Sequence, residues 1–280
     1  MKEAFAYHFS KGIGNEYFIK NQTLFNEIIH KIFNNKDIKY FTSFGGHSLH
    51  MASRASLEGC KAFLSSYITQ EETKILKSLD SKNLIEIHKI GNDSDIHLVM
   101  EYNKGEKYGN YTSPRANRFY INHDVYSSNL DSLETHHKIA VENEVKLHAV
   151  AGFQLMNNLP YEKAIARLET VRNYWINASK NHETIHVEMA AFNGNPFYSY
   201  LVKNSLKYIQ SLGMNEHELW AISELFTNSS YKIPPFSPTH LEINEKISSL
   251  ISTFTSENYL ISRLHVHTLN HHTLCYKTNE

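Results

Sequence analysis

The sequence predicts an α/β protein: a mostly parallel sheet with flanking helices, carrying a small β-rich element. Two patterns support that expectation. From about residue 130 onward, apolar or β-branched runs of strand length alternate with amphipathic stretches of helix length, the order that parallel strands joined by crossover helices require. Between residues 84 and 124 the runs are short and separated by a turn-rich stretch, which reads as a group of short strands. The expected organisation is a single domain over 1–280, with 84–124 in the β-rich element and 130–280 in the α/β core.

Taken in order, Leu24, Ile28, Ile29 and Ile32 share one helical face, so Asn21 to Phe33 is predicted as a helix. IKYFTSF (38–44) is predicted as a strand. Gly45-Gly46 follows, ahead of a helical segment, and two glycines there let backbone amides approach a ligand without Cβ interference. The same dipeptide is more often a plain turn. LIEIHKI (84–90), IHLVMEY (96–102) and NRFYINHD (117–124) are predicted strands around the turn-rich NKGEKYGN (103–110). Then come a helix (132–145), the strand KLHAVAGF (146–153), a helix (160–175), the strand ETIHVEMAAF (183–192), a helix (197–206), the strand KYIQSLGM (207–214) and the helix NEHELWAISELF (215–226). A proline-marked loop, IPPFSPTH (233–240), leads to a further helix and the histidine-rich ISRLHVHTLNHHTL (261–274).

Composition narrows the function classes. With 28 Lys and Arg against 29 Asp and Glu, the net charge is -1, which gives no electrostatic basis for binding nucleic acid or an anionic membrane. The 17 Tyr and 15 Phe lack the basic stripe that would make them base-stacking platforms. Cys60 and Cys275 have neither CxxC nor zinc-ribbon spacing. No apolar run reaches the ~18 residues of a membrane span and no targeting segment is visible, so the default expectation is cytoplasmic.

Two acid-bearing motifs carry the chemistry: His186-Val187-Glu188, closing one predicted strand, and Asn215-Glu216-His217-Glu218, closing another. Acids delivered at strand ends of an open α/β sheet suit a metal-and-phosphate site. Read alone, Glu218 is better taken as a surface acid in the first turn of a helix, where the dipole favours it.

A series of strings in order then resembles a known family: Phe44-Gly45-Gly46; HLVMEYNKGEKYG (97–109); SPRANRF (113–119) with His123-Asp124; AGFQLM (151–156); His186-Val187-Glu188; LGMNEHEL (212–219); and SRLHVHTL (262–269). The chain is similar over about residues 3–274 to the ADP-dependent sugar kinases, particularly the ADP-dependent glucokinases of animals. The resemblance implies a ribokinase-like fold and phosphoryl transfer from MgADP to the 6-hydroxyl of glucose, giving glucose 6-phosphate and AMP. It places Glu188, Asn215 and Glu218 at a Mg²⁺ ion, largely through water, as befits a hard cation that keeps its hydration shell. It places Gly45, Gly46, Glu101, Asn117, Arg118, Asp124 and Gln154 at the sugar, and His186, Arg263, His265 and His267 on the nucleotide side. Glucose and ADP are the implied small-molecule partners, the complete protein is expected to be monomeric, and association with the endoplasmic reticulum is a family trait.

There are departures. His47-Ser48 stands where the family has Asn-Ala after the two glycines, and Ala151 replaces a serine. The family's sugar-binding Asp on a first strand, and the GxGD whose Asp takes the hydroxyl proton, are not found, so the chain is expected to be truncated at both ends. No catalytic residue is assigned, and this chain alone is expected to be impaired in phosphorylation. A non-catalytic protein that binds sugar or a partner is the alternative. A weaker one is zinc binding through His265, His267, His271 and His272, with His267 and His271 spaced i,i+4.

Overall fold

The computed structural model describes residues 1–80, 82, 84–89, 95–190, 196–227 and 238–278. It divides into two compact units: a small one, Met1–Phe44 with Gly91–Val125, and a large one, Gly45–Ile90 with Tyr126–Glu280. In chain order the elements are α1 (Lys2–Lys11), β1 (Asn15–Phe18), α2 (Gln22–Phe33), α3 (His47–Leu57), β2 (Ala62–Ser66), α4 (Gln70–Leu79), β3 (Ile85–Lys89), β4 (Leu98–Tyr102), β5 (Lys107–Tyr108), β6 (Tyr111–Thr112), β7 (Asn117–Asn122), α5 (Val125–Ser128) and α6 (Leu133–Glu142). They continue with β8 (Leu147–Val150), α7 (Tyr161–Lys180), β9 (Thr184–Glu188), α8 (Pro196–Tyr200), β10 (Ser211–Asn215), α9 (Glu216–Thr227), α10 (His240–Ser256), β11 (Arg263–His267) and β12 (His272–Tyr276).

The small unit is built on a three-stranded sheet in the order β1-β7-β4, with β7 parallel to β1 and antiparallel to β4. Its strands alternate. Leu98, Met100, Phe119, Ile121 and Tyr17 project to one side, where Phe119 and Ile121 pack with Phe25 and Ile19 and with Phe5 of α1. The Phe5 ring meets that of Phe119 edge-on at 5.4 Å, a preferred geometry for aromatic pairs. Glu16, Val99, Glu101, Arg118, Tyr120 and Asn122 occupy the other side. α1 stops at Gly12, whose φ of 62° is cheap only for glycine. Its carbonyl accepts from Arg115 Nε at 2.7 Å and Asn117 Nδ2 at 2.9 Å.

The large unit centres on a five-stranded sheet, β12-β11-β10-β9-β8, parallel except for the hairpin strand β12. One face is fully buried: Ile185, Val187, Leu212, Met214, Leu264 and Val266 are inaccessible to solvent, and each contributes about 1.5–3 kcal/mol by burial. α7 presents Ala164, Leu168, Val171, Trp175 and Ala178 to the same core, an i, i+4, i+7 stripe. The other face of β9, β10 and β11 is polar, unlike the doubly buried strands usual in parallel sheets. α4 and α10 begin with capping boxes, Thr69 with Glu72 and Thr239 with Glu242, the T-x-x-E pattern being visible in the sequence.

Several expectations are corrected. The segment 38–44 is not a strand: its residues are mostly exposed and pair with no neighbour, and β-propensity without a partner strand leaves the ladder unmade. β3 pairs in parallel with β2 rather than with β4, so LIEIHKI is not continuous with the small sheet. The strand predicted at 207–214 starts only at Ser211, because the preceding helix runs through a π turn (Leu201–Ser205) into a 3₁₀ turn (Leu206–Tyr208). KLHAVAGF ends as a strand at Val150, since Gly152 at φ 99° opens a 3₁₀ helix (Phe153–Asn158). Most of the proline-marked loop, 233–237, lies outside the described residues, as do the predicted strand ends at 90 and 191–192.

Candidate functional site

The parallel register of β9, β10 and β11 sets their polar residues in rows. His186, Ser211 and Arg263 form one row; Glu188, Gly213 and His265 the next; Asn215 and His267 the last. Strand periodicity of two puts all eight on one face, and Glu188, Asn215 and His267 are the final residues of their strands. The three strands therefore deliver a carboxylate, an amide and a histidine to one edge of the sheet.

Hydrogen bonds link the rows. Arg263 Nη1 donates to Ser211 Oγ at 2.9 Å, and Ser211 Oγ lies 2.9 Å from His186 Nδ1. A hydroxyl that accepts from a guanidinium has its own proton free to donate to the imidazole. That assignment leaves His186 Nε2 protonated and facing Glu188 Oε2 at 3.5 Å. On the other side His267 Nε2 lies 2.7 Å from Glu188 Oε1. Burial alone would raise the Glu188 pKa, but the hydrogen bonds from His186 and His267 bring it down to about 2, so the carboxylate is ionised at neutral pH. His267 is raised by its bond to Glu188, which outweighs burial, with Glu218 and Glu216 adding to the effect. His265 is lowered by burial and then by the neighbouring His267 and Arg263.

Gly213 is the floor of this arrangement. A Cβ there would overlap Oε2 of Glu188 and lie 3.0 Å from its Cδ and 3.1 Å from His186 Cε1. Only glycine leaves room for the carboxylate to lie across β10.

Glu218 is 2 % exposed, so the surface-acid reading fails. Its Oε2 accepts from Asn215 N at 2.8 Å, its Oε1 accepts from Asn215 Nδ2 at 2.9 Å, and its own amide donates to Asn215 Oδ1 at 3.0 Å. This reciprocal pairing opens α9 and anchors both residues. As donors to a cation, the carboxylates of Glu188 and Glu218 and the Asn215 amide are hard oxygen ligands, which suits Mg²⁺ or a similar ion held through its water shell. Among the described residues no group of three or more His, Cys, Asp or Glu is placed to hold a metal directly. The helical i,i+4 geometry considered for zinc is not realised: His267 and His271 belong to a hairpin, and His271 stacks on His240 with ring centres 3.7 Å apart.

The residues expected at a sugar fall in separate places. Glu101 and Arg118 are cross-strand partners on the polar side of the small sheet, both exposed. Asp124, just beyond β7, is 4 % exposed and lies 3.3 Å from His97. Asn117 points to the opposite side; its amide is engaged with the Gly12 carbonyl and with the Arg118 backbone amide, so it caps α1. In the large unit, Gly45 and Gly46 precede α3, where Gly46 is the N-cap at φ 85°. Gln154 sits in the 3₁₀ helix after β8 with its Oε1 enclosed and without a hydrogen-bond partner. Sequence reasoning missed Ser211 and Gly213, although the alternation of SLGMN, small or polar against Leu and Met, was the signal. It also missed Glu16, His97 and Asn122.

A model of the ADP-specific phosphofructokinase/glucokinase conserved region matches residues 1–280. Among curated proteins, the chain is 22 % identical to a probable ADP-dependent glucokinase of Caenorhabditis elegans, over 97 % of this chain and 56 % of that protein. It is 24 % identical to an ADP-dependent glucokinase of Bos taurus, over 98 % of this chain and 55 % of that protein. The chain thus spans about half the length of the curated relatives it matches. In fold it is similar to an ADP-dependent kinase in complex with fructose-6-phosphate and ADPβS, with a TM-score of 0.69 and 14 % identity over 96 % of this chain and 62 % of that one. It is also similar to the Anopheles gambiae adenosine kinase, with a TM-score of 0.59 and 14 % identity over 99 % and 75 %. The fold is ribokinase-like α/β.

Proposed function

The chain belongs to the ADP-specific phosphofructokinase/glucokinase family, and on that premise we propose that it forms the metal and phosphate side of an ADP-dependent glucokinase. The reaction is transfer of a phosphoryl group from MgADP to the 6-hydroxyl of glucose, yielding glucose 6-phosphate and AMP. The observation that carries the reading is that Glu188, Asn215 and His267 end three adjacent parallel strands on one face, with Glu218 of α9 bonded to Asn215. Bound there, Mg²⁺ would neutralise charge on the nucleotide phosphates. Glu188, Glu218 and Asn215 would hold it through water. His186 and His267 keep Glu188 ionised and fixed in direction, so the acid need not reorganise when the ligand arrives. A protonated His267 would add positive charge next to the phosphates, and Arg263 acts from the first row through Ser211 and His186.

Gly45, Gly46 and Gln154 of the large unit, and Glu101, Arg118 and Asp124 of the small one, are kept as proposed substrate contacts. A neutral hexose fits the polar side of the small sheet better than a phosphosugar, because three carboxylates there, Glu16, Glu101 and Asp124, face two cations, Arg118 and His97. The base that takes the hydroxyl proton is assigned to no residue of this chain.

The test is calorimetric titration of the purified protein with ADP, with and without Mg²⁺, for wild type and Glu188→Gln. Mg²⁺ is expected to strengthen ADP binding in wild type and not in the variant. ADP affinity indifferent to Mg²⁺, or an equal response in the variant, would remove Glu188 from the metal side.

A further inference from the structure

We propose that the contact between His136 and His148 is an acid-sensitive latch, which seats α6 on the sheet of the large unit and, when both imidazoles are protonated, releases α6 together with the β2–β3 ladder it covers. His136 is on α6 and His148 on β8. His148 is in register with Ile185, which by strand alternation puts it on the opposite face from His186 and Glu188. It is 6 % exposed there, a polar ring among apolar side chains that the function proposed above does not use. His136 Nε2 lies 3.1 Å from His148 Nδ1, and the rings meet edge-on with centres 5.3 Å apart. His148 Nε2 lies 2.8 Å from Glu183 Oε2, and Glu183 Oε1 accepts from Asn181 Nδ2 at 3.3 Å.

Two facing ring nitrogens can share one proton, since one must donate and the other accept. With a proton on each, two N–H groups would point at one another in a buried place and two cations would touch. Glu183 balances one of them, from the far nitrogen of His148. The other groups around α6 are already engaged. His137 stacks on Tyr174 of α7 with ring centres 4.1 Å apart, Glu134 is bound by Arg167 of α7, and Lys138 pairs with Glu142 on the exposed side. β2 brings no titratable side chain. Burial first, then His148 and His137, therefore lower the His136 pKa to about 4 while the latch is closed; released, the ring returns to about 6.5. What moves follows from the packing. α6 lies against β2, and β2 pairs only with β3 among the described strands. A two-stranded ladder is marginal without a covering helix. α3, also packed on β2, begins beyond its N-cap Gly46, so loosening of this block reaches that end of the unit.

The experiment is amide hydrogen exchange of the purified chain between pH 7 and pH 5, corrected for intrinsic rates, for wild type, His136→Gln and Lys138→Gln. Amides of α6, β2 and β3 are expected to share one protection factor, lower than that of β10 and β11. That factor should fall by up to about tenfold for each pH unit below about 6.5, because the open state takes the proton that the closed state refuses. Glutamine at 136 can still donate to His148 but takes no proton, so His136→Gln should lose most of this pH response; Lys138→Gln, on the exposed side of the same helix, should keep it. Imidazole NMR of the wild type is the second measurement and needs no variant to fold: the His136 ring is expected to titrate well below its ordinary value. Protection of α6, β2 and β3 equal to that of β10 and β11 at every pH would mean that His136 is reached only by global unfolding, and it overturns the latch. So does an undiminished response in His136→Gln, or a His136 ring that titrates near 6.5.

Discussion

Replacing Gly213 by alanine tests the geometry of the polar sheet face most directly. The added methyl would overlap Glu188 Oε2 and press on His186, and a backbone strand paired on both sides cannot retreat. The carboxylate must swing away and give up its 2.7 Å contact with His267. A hydrogen bond to a charged group contributes about 1.5–3 kcal/mol, and overpacking costs about 1–3 kcal/mol. Partial relaxation makes a loss of about 3 kcal/mol the expected outcome, read as a lower urea midpoint at unchanged m-value. His267, whose pKa is raised first by Glu188, should fall back toward its ordinary value in an imidazole NMR titration. In a Glu188→Ala background the methyl no longer meets the carboxylate and has only His186 Cε1 at 3.1 Å beside it, so the alanine should cost at least 1 kcal/mol less there. If Gly213→Ala is within about 0.5 kcal/mol of wild type and His267 titrates unchanged, the carboxylate does not lie over β10 and the site as described is wrong.

Three further outcomes are expected. Away from the site, His136 lies 3.1 Å from His148, which lies 2.8 Å from Glu183; burial, then His148 and His137, lower the His136 pKa to about 4. A histidine depressed in the fold stabilises above its unfolded pKa, so up to about 3 kcal/mol should be lost as pH falls from about 6.5 to about 4; His136→Gln should flatten that part of a denaturation-against-pH curve. Asn117→Ala should cost about 1 kcal/mol in thermal unfolding by releasing the α1 terminus while hexose affinity stays the same; a selective loss of hexose would restore Asn117 to the sugar. Ser211→Ala should break the link between Arg263 and His186 and weaken MgADP more than Mg²⁺-free ADP, whereas equal weakening of both would show that the serine does not act through Glu188.

Much of the large unit was legible because its crossover helices and strands differ in period, and because Glu188 and Asn215 end their apolar runs abruptly. What escaped has identifiable physical causes. IKYFTSF has strand-forming residues but no neighbour to pair with, a fact that no local window contains. KYIQSLGM lost its first half because a π turn carried the helix further than propensity indicates. Glu218 looked like a surface acid, since the sequence does not reveal that Asn215 would close on it from both ends. Asn117 and Asp124 lie in one string, yet one caps a helix and the other sits behind His97. Glu16 and His97 stayed unseen because β1 pairs with β7, whose residues lie about a hundred positions further along the chain.

The alternation in β9, β10 and β11 has an evolutionary consequence. Odd and even positions of the same short strands serve different ends, one set excluding water from the interior and the other presenting charge. A single-residue deletion inside any of them would exchange the two sets, driving histidine and glutamate inward and leucine and valine outward. Loss of chemistry and collapse of the fold would then arrive in one step, so selection for a folded chain alone would preserve the spacing of these polar residues even in a lineage that no longer used them.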